Sequence, residues 1–124
     1  MDNLSLFIKP WLSLTVPEIV KKVKELGFSK IEVPIRNGCF LNPDNCITEL
    51  PKLTKLFKSE GVAVNAVASA VDERVFAAMS EADIKLMRVM LICGDDESYN
   101  DGEKRFIKMM DEASRYCEKY NTRV

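Results

Sequence analysis

The sequence predicts an α/β fold, a parallel sheet built from four consecutive βα repeats in one unit spanning residues 1–124. Two observations carry this. Short apolar runs alternate with longer stretches whose apolar residues recur at helical spacing, at a repeat of roughly 20–30 residues, and strands that alternate with helices imply parallel pairing. Runs such as "VAVNAVA" are also nearly continuous in apolar residues, as expected of strands buried on both faces.

The first strand is read at Leu4–Lys9 and stops at Pro10. A helix follows over Thr15–Leu26. Thr15 and Glu18 have capping-box spacing, Pro17 is tolerated in a first turn, and Ile19, Val20, Val23 and Leu26 form one stripe. Gly27 is placed just past its end. The second strand is Lys30–Arg36, then a loop rich in turn formers, then a helix over about Thr48–Glu60 with Pro51 in its first turn and Gly61 closing it. "VAVNAVAS" is the third strand, Asp72–Glu81 a shorter helix, and "IKLMRVMLIC" the fourth strand, with Met87 and Met90 read as core filling. In the last helix Asn100 and Glu103 suggest a capping box, and Phe106, Ile107, Met110, Ala113 and Cys117 form the apolar side.

Composition narrows the function. An apolar share of 47% fits a folded domain, or part of a larger one, and is too high for disorder. The 18 basic and 19 acidic residues nearly cancel, so no charge field draws nucleic acid or an anionic membrane as partner. No apolar run approaches the roughly 18 residues of a membrane span, and the N-terminus lacks the basic start of a signal peptide, which places the chain in the cytoplasm. Cys39, Cys46, Cys93 and Cys117 show no C-x-x-C spacing and read as free thiols. The absence of histidine removes Ser-His and Cys-His nucleophiles and imidazole metal ligands from this chain.

A sheet in the order 1-2-3-4 would carry all its crossover helices on one face and leave the other bare. Either the order reverses, giving a doubly wound sheet, or the sheet curls toward a barrel of which it forms half. Periodicity alone leaves both open.

Three segments bear on this choice. "ELGFSKIEVPIR" places Leu26-Gly27-Phe28 before a strand carrying Glu32. In "LTKLFKSEGVAVNAVAS" Gly61 precedes a strand of small apolar residues. "IKLMRVMLIC" carries Arg88-Val89-Met90. In order and spacing they resemble the first half of the xylose isomerase-like TIM barrels, which include sugar and sugar-phosphate isomerases and epimerases and AP endonucleases. The final "CEKYNTRV" resembles a helix end and the opening of the family's fifth strand, which makes the chain a natural truncation, a split gene product or a cut chain. The resemblance implies a divalent metal (Mn, Mg, Co or Zn) in a complete member, bound by residues of strands five to eight, so no metal ligand or catalytic residue is expected here. The AP endonuclease branch brings zinc-binding histidines on early strands and does not fit.

In such a barrel the functional side chains lie at the C-terminal strand ends. The expected substrate contacts for a sugar or sugar phosphate are Lys9, Trp11, Glu32, Arg36 and Ser69. Lys9 suits an anion, Trp11 a sugar face, and Arg36 a phosphate or carboxylate through its planar fork. The competing readings are a solvated Lys9, a hydrophobic plug at Trp11, and ion pairing of Glu32 and Arg36 within the barrel, with Arg88 as an internal partner. The loop Asp95–Glu97 reads as a solvated acidic stretch. Two functions remain open. One is the N-terminal part of a metal-dependent isomerase or epimerase, inactive alone. The other is a non-enzymatic half-barrel or flavodoxin-like scaffold, although "KPWLSLTVPE" has no glycine for a phosphate loop. A bare sheet face predicts a homodimer.

Overall fold

A computed structural model describes residues 3–124. Its strands are β1 (Leu6–Phe7), β2 (Lys30–Ile35), β3 (Ala63–Ser69) and β4 (Leu86–Arg88). Its helices are α1 (Val16–Glu25), α2 (Cys46–Ser59), α3 (Glu73–Glu81) and α4 (Tyr99–Tyr120), with a single 3-10 turn at Lys9–Trp11. All strand pairs are parallel and the order is β1-β2-β3-β4. The order does not reverse, and α1 meets α2, α2 meets α3 and α3 meets α4. The helices therefore line one face in sequence, and of the two sheet solutions the structure has the half-barrel-like (βα)4 one.

The helix-covered face holds the core. Ile31, Val33 and Ile35 of β2, Val64 and Val67 of β3 and Met87 of β4 are buried against Ile19 and Val23 of α1, Phe57 of α2, and Phe76 and Met79 of α3. The period-2 alternation of a strand turns the neighbouring residues, Glu32 and Pro34, to the opposite face.

Local chemistry sets the element ends. The Thr15–Glu18 capping box forms, with the Glu18 carboxylate accepting from the Thr15 N–H at 2.7 Å and its hydroxyl at 2.8 Å. Gly27 and Gly61 take φ of +78° and +81°, the left-handed conformation that lets each helix turn directly into the next strand. Helix α2 begins earlier than its apolar spacing predicts. Asn42 Oδ1 accepts from the N–H groups of Asp44 and Asn45 and coils the chain ahead of Cys46. Pro51 therefore lies inside the helix rather than in its first turn. Helix α4 is capped by Ser98, whose Oγ accepts from the Asp101 N–H at 3.2 Å, so the Asn100–Glu103 pairing is not used. Ile107 is 55% exposed and lies off the core-facing stripe of α4.

Both outer strands are shorter than their apolar runs. After Phe7 the chain coils into the 3-10 turn, so Lys9 is outside β1. After Arg88 the ladder stops, and Met90, expected to fill the core, is 45% exposed. At the far end Asn121 adopts φ +51° and turns the chain out of α4. The Arg123 N–H then donates to the Lys85 carbonyl at 2.7 Å, and the Met87 N–H donates to the Arg123 carbonyl at 2.8 Å. This parallel bridge between Leu86 and Arg123 occupies the position a fifth strand would take.

Gly102 tests the packing of α4 on the segment before it. A Cβ there would lie 2.7 Å from Cys93 Sγ. Helix propensity alone favours Gly→Ala by about 1 kcal/mol, but overpacking costs about 1–3 kcal/mol. Gly102→Ala is expected to lower the thermal midpoint, and Cys93→Ala in the same chain to recover it. A midpoint raised by Gly102→Ala alone would contradict the contact.

Candidate functional site

Two features occupy the sheet's open face and its C-terminal rim. The first is an ion pair across the face. Pairing places Phe7 beside Glu32 and Glu32 beside Ala66, while Arg88 lies beside Ala68. Arg88 and Glu32 are thus two strands apart, about 10 Å, and the Arg88 side chain crosses β3 to close the gap. Its Nη2 donates to Glu32 Oε1 at 2.6 Å, and its Nε donates to Oε1 at 2.9 Å and to Oε2 at 3.2 Å. The Arg88 guanidinium carbon also lies 4.8 Å from the centre of the Phe7 ring. Ala66 and Ala68, both buried, present only methyl groups beneath the crossing arm. The Glu32 carboxylate raises the Arg88 pKa still further above its ordinary value.

The second feature is a cleft of about 390 Å³ where β2, β3 and β4 end and α4 begins. Its polar groups are Arg36, Asn37, Ser69, Asp72 and Arg105. Its apolar wall includes Val71, Val89, Met90, Ile92 and Met109. Arg74 braces the back. It donates from Nε and Nη2 to Asp72 at 3.0 and 2.7 Å and from Nη1 to Asp44 at 2.6 Å, tying the start of α3 to the loop before α2. Cys46 reinforces the same join, its Sγ 3.6 Å from the carbonyls of Pro43 and Arg74, and burial pushes its thiol pKa up. On the other side Arg105 holds Glu97 with Nε and Nη2, each at 3.0 Å, and donates to the Ile92 carbonyl, fixing the apolar segment against α4.

These contacts divide the charges. Hydrogen bonding from Arg74 holds the Asp72 carboxyl below the usual range, and bonding from Arg105 does the same for Glu97. Glu97 is paired with Arg105, and Asp72 shares Arg74 with Asp44. Arg36 differs: it is partly exposed, and among the described residues no carboxylate pairs with it. Arg36, at the rim of β2, is therefore the cleft's one cation without a carboxylate partner among the described residues.

The five expected contacts separate. Arg36 and Ser69 line the cleft, although the Ser69 hydroxyl donates to the Ala70 carbonyl at 2.9 Å. Glu32 lies on the open face with its carboxylate bound by Arg88. Lys9 is exposed in the 3-10 turn. Trp11 packs against the core beside α1, with Lys22 Nζ 5.9 Å from its ring centre. The sequence reading did not include Asp72, Arg105, Met90 or Ile92 in the site. For Arg105 the signal was its eight-residue spacing from Glu97 across a helix start. For Met90 and Ile92 there was none, because an apolar run reads as a strand.

No group of three or more His, Cys, Asp or Glu side chains among the described residues is placed to hold a metal ion. No protein-family model matches this sequence, and no curated protein matches it.

Removing the Glu32 carboxylate leaves a part-buried guanidinium unpaired. Glu32 is 12% and Arg88 39% exposed in their side chains, so the cost falls between that of a surface and a buried pair, about 2 kcal/mol. Arg36→Ala removes no ion pair and should cost within about 0.5 kcal/mol. Denaturant midpoints of Glu32→Ala and Arg36→Ala, expected to separate in that order, check the assignment.

Asp72 predicts an acid dependence. A carboxyl with a depressed folded pKa stabilises the fold above its unfolded value of about 3.9, and that contribution is lost as pH falls through the folded value. Asn retains the capping oxygen without the charge. Asp72→Asn should therefore flatten the fall in stability below about pH 4, measured by urea unfolding at stepped pH. An unchanged slope would show that Arg74 does not set the Asp72 titration.

Proposed function

We propose that this chain is the N-terminal, substrate-shaping part of a cytoplasmic sugar or sugar-phosphate isomerase or epimerase of the xylose isomerase-like kind. The observation that carries the reading is the geometry of the sheet. Four parallel strands in sequential order place their helices on one face, and Arg123 occupies the fifth-strand position beside β4. An inward ion pair across the open face and a cleft at the C-terminal strand ends agree with it.

In this reading the chain provides the wall of the site. Arg36 is the group available to an anionic end of the substrate, with Asn37 beside it at the rim. Glu32 is not free to act as a base, because its carboxylate oxygens accept three hydrogen bonds from Arg88. Proton transfer next to a carbonyl and any metal chemistry then belong to residues other than these. The helix-free sheet face, where Leu86 is 42% exposed at the edge, is the expected surface of a homodimer.

The pure 124-residue chain is expected to show no turnover of ketoses, aldoses or their phosphates with added manganese, magnesium or cobalt. It should still bind a sugar phosphate, and Arg36→Ala should weaken that binding. Metal-dependent turnover by this chain alone would refute its role as a partial site. Absence of any sugar or sugar-phosphate binding would favour the scaffold reading. Light scattering during size exclusion checks the assembly: a dimer at micromolar concentration is expected, and a monomer that binds no hydrophobic dye would rule it out.

A further inference from the structure

We infer that the cleft at the strand ends also binds a small carboxylate with an apolar body, a ligand class beyond the polyhydroxylated substrates of the proposed function. The charge pattern sets the head group. Arg36 is the cleft's one cation without a carboxylate partner among the described residues, whereas Arg105 is bound by Glu97 and Asp72 by Arg74. A partly desolvated guanidinium without a counter-ion is unfavourable, and its planar fork matches a carboxylate in two parallel hydrogen bonds. Asp72 would repel such a ligand if it were bare, but two bonds from Arg74, which it shares with Asp44, offset part of its charge.

The wall sets the body. Met90 and Ile92 are 45% and 65% exposed where they border the cleft, and Val71, Val89 and Met109 continue the apolar surface. A polyol needs a hydrogen-bond partner for nearly every hydroxyl, and the side of the cleft formed by Val71, Val89, Met90, Ile92 and Met109 has no polar side chain to offer. The Ser69 hydroxyl is already directed to a carbonyl, and Nε and Nη2 of Arg105 are engaged by Glu97 and the Ile92 carbonyl. An alkyl or branched aliphatic chain asks for none and would cover Met90 and Ile92. The volume, about 390 Å³, lies within the range of small-ligand sites.

Sodium octanoate is the probe. It is titrated into the intact chain by calorimetry and by amide NMR, alongside 1-octanol and ribose 5-phosphate. Saturable octanoate binding is expected, with shifts at Asn37, Ala70 and Ile92. Arg36→Gln, which retains a polar side chain but not the charge, should weaken it at least about tenfold, and 1-octanol should bind correspondingly more weakly. Ile92→Asp, at an exposed position, should also weaken octanoate. Three results would overturn the inference: no saturable binding at millimolar octanoate, affinity unchanged by Arg36→Gln, or ribose 5-phosphate binding more tightly than octanoate at the same amides. The last would support the sugar-phosphate reading, while octanoate binding without any sugar-phosphate binding would count against that reading and for this one.

Discussion

The reach of Arg88 across β3 to Glu32 constrains the open face of the sheet more than any other contact. The chain must present a carboxylate on β2, a guanidinium on β4 and nothing larger than a methyl between them, and it does so with Glu32, Arg88, Ala66 and Ala68. Phe7 then stacks on the guanidinium from β1. The interaction links β1, β2 and β4 over the top of β3. Hydrogen bonding between adjacent strands cannot do this, because each strand pairs only with its immediate neighbours. A charged pair is a weak source of net stability, since desolvation offsets much of its attraction. Its value here is geometric: it fixes the relation of strands that share no ladder.

That arrangement also explains why the open face need not be a greasy patch. The small residues on β3 are covered by the aliphatic stem of Arg88, in the way long charged side chains shield apolar surface while keeping their heads polar. Exposed apolar side chains remain at the edge and rim, at Leu86, Met90 and Ile92. These are where a ligand or second chain gains most by binding.

The sequence made the architecture legible because its signals are local. Capping at Thr15, left-handed glycines at 27 and 61 and the alternation of apolar runs each act within a few residues, and they place the helices and the central strands to within a residue or two. Strand order and helix placement followed only from three-dimensional pairing. Charge partnership was legible in part. Arg88 reads as an internal partner because it lies within an apolar strand, but its mate is 56 residues away. Arg74 has a local partner in Asp72, two residues before it, but its second partner, Asp44, lies 30 residues earlier, and nothing local shows that Arg36 has no carboxylate partner among the described residues. The cleft was illegible for the same reason, being defined by which arginines are spoken for.

The length of β4 connects these observations. Residues 84–93 have the composition of a buried strand, yet the ladder ends at Arg88. Strand propensity describes fitness for a half-buried pleated surface and needs neighbours to be realised. On the inner side β3 ends at Ser69, level with Val89, and turns into the cap of α3 at Asp72, so Met90 and the residues after it have no strand partner there. On the outer side the bridge from Arg123 reaches only Leu86. Lacking a ladder on either edge, the apolar segment instead lies against the start of α4, where Arg105 holds it through the Ile92 carbonyl. The missing strand partners therefore shorten β4 and at the same time build the apolar wall of the cleft. A neighbour that extended the outer ladder past Arg88 would draw Met90 and Ile92 toward the sheet, coupling completion of the sheet to the shape of the site.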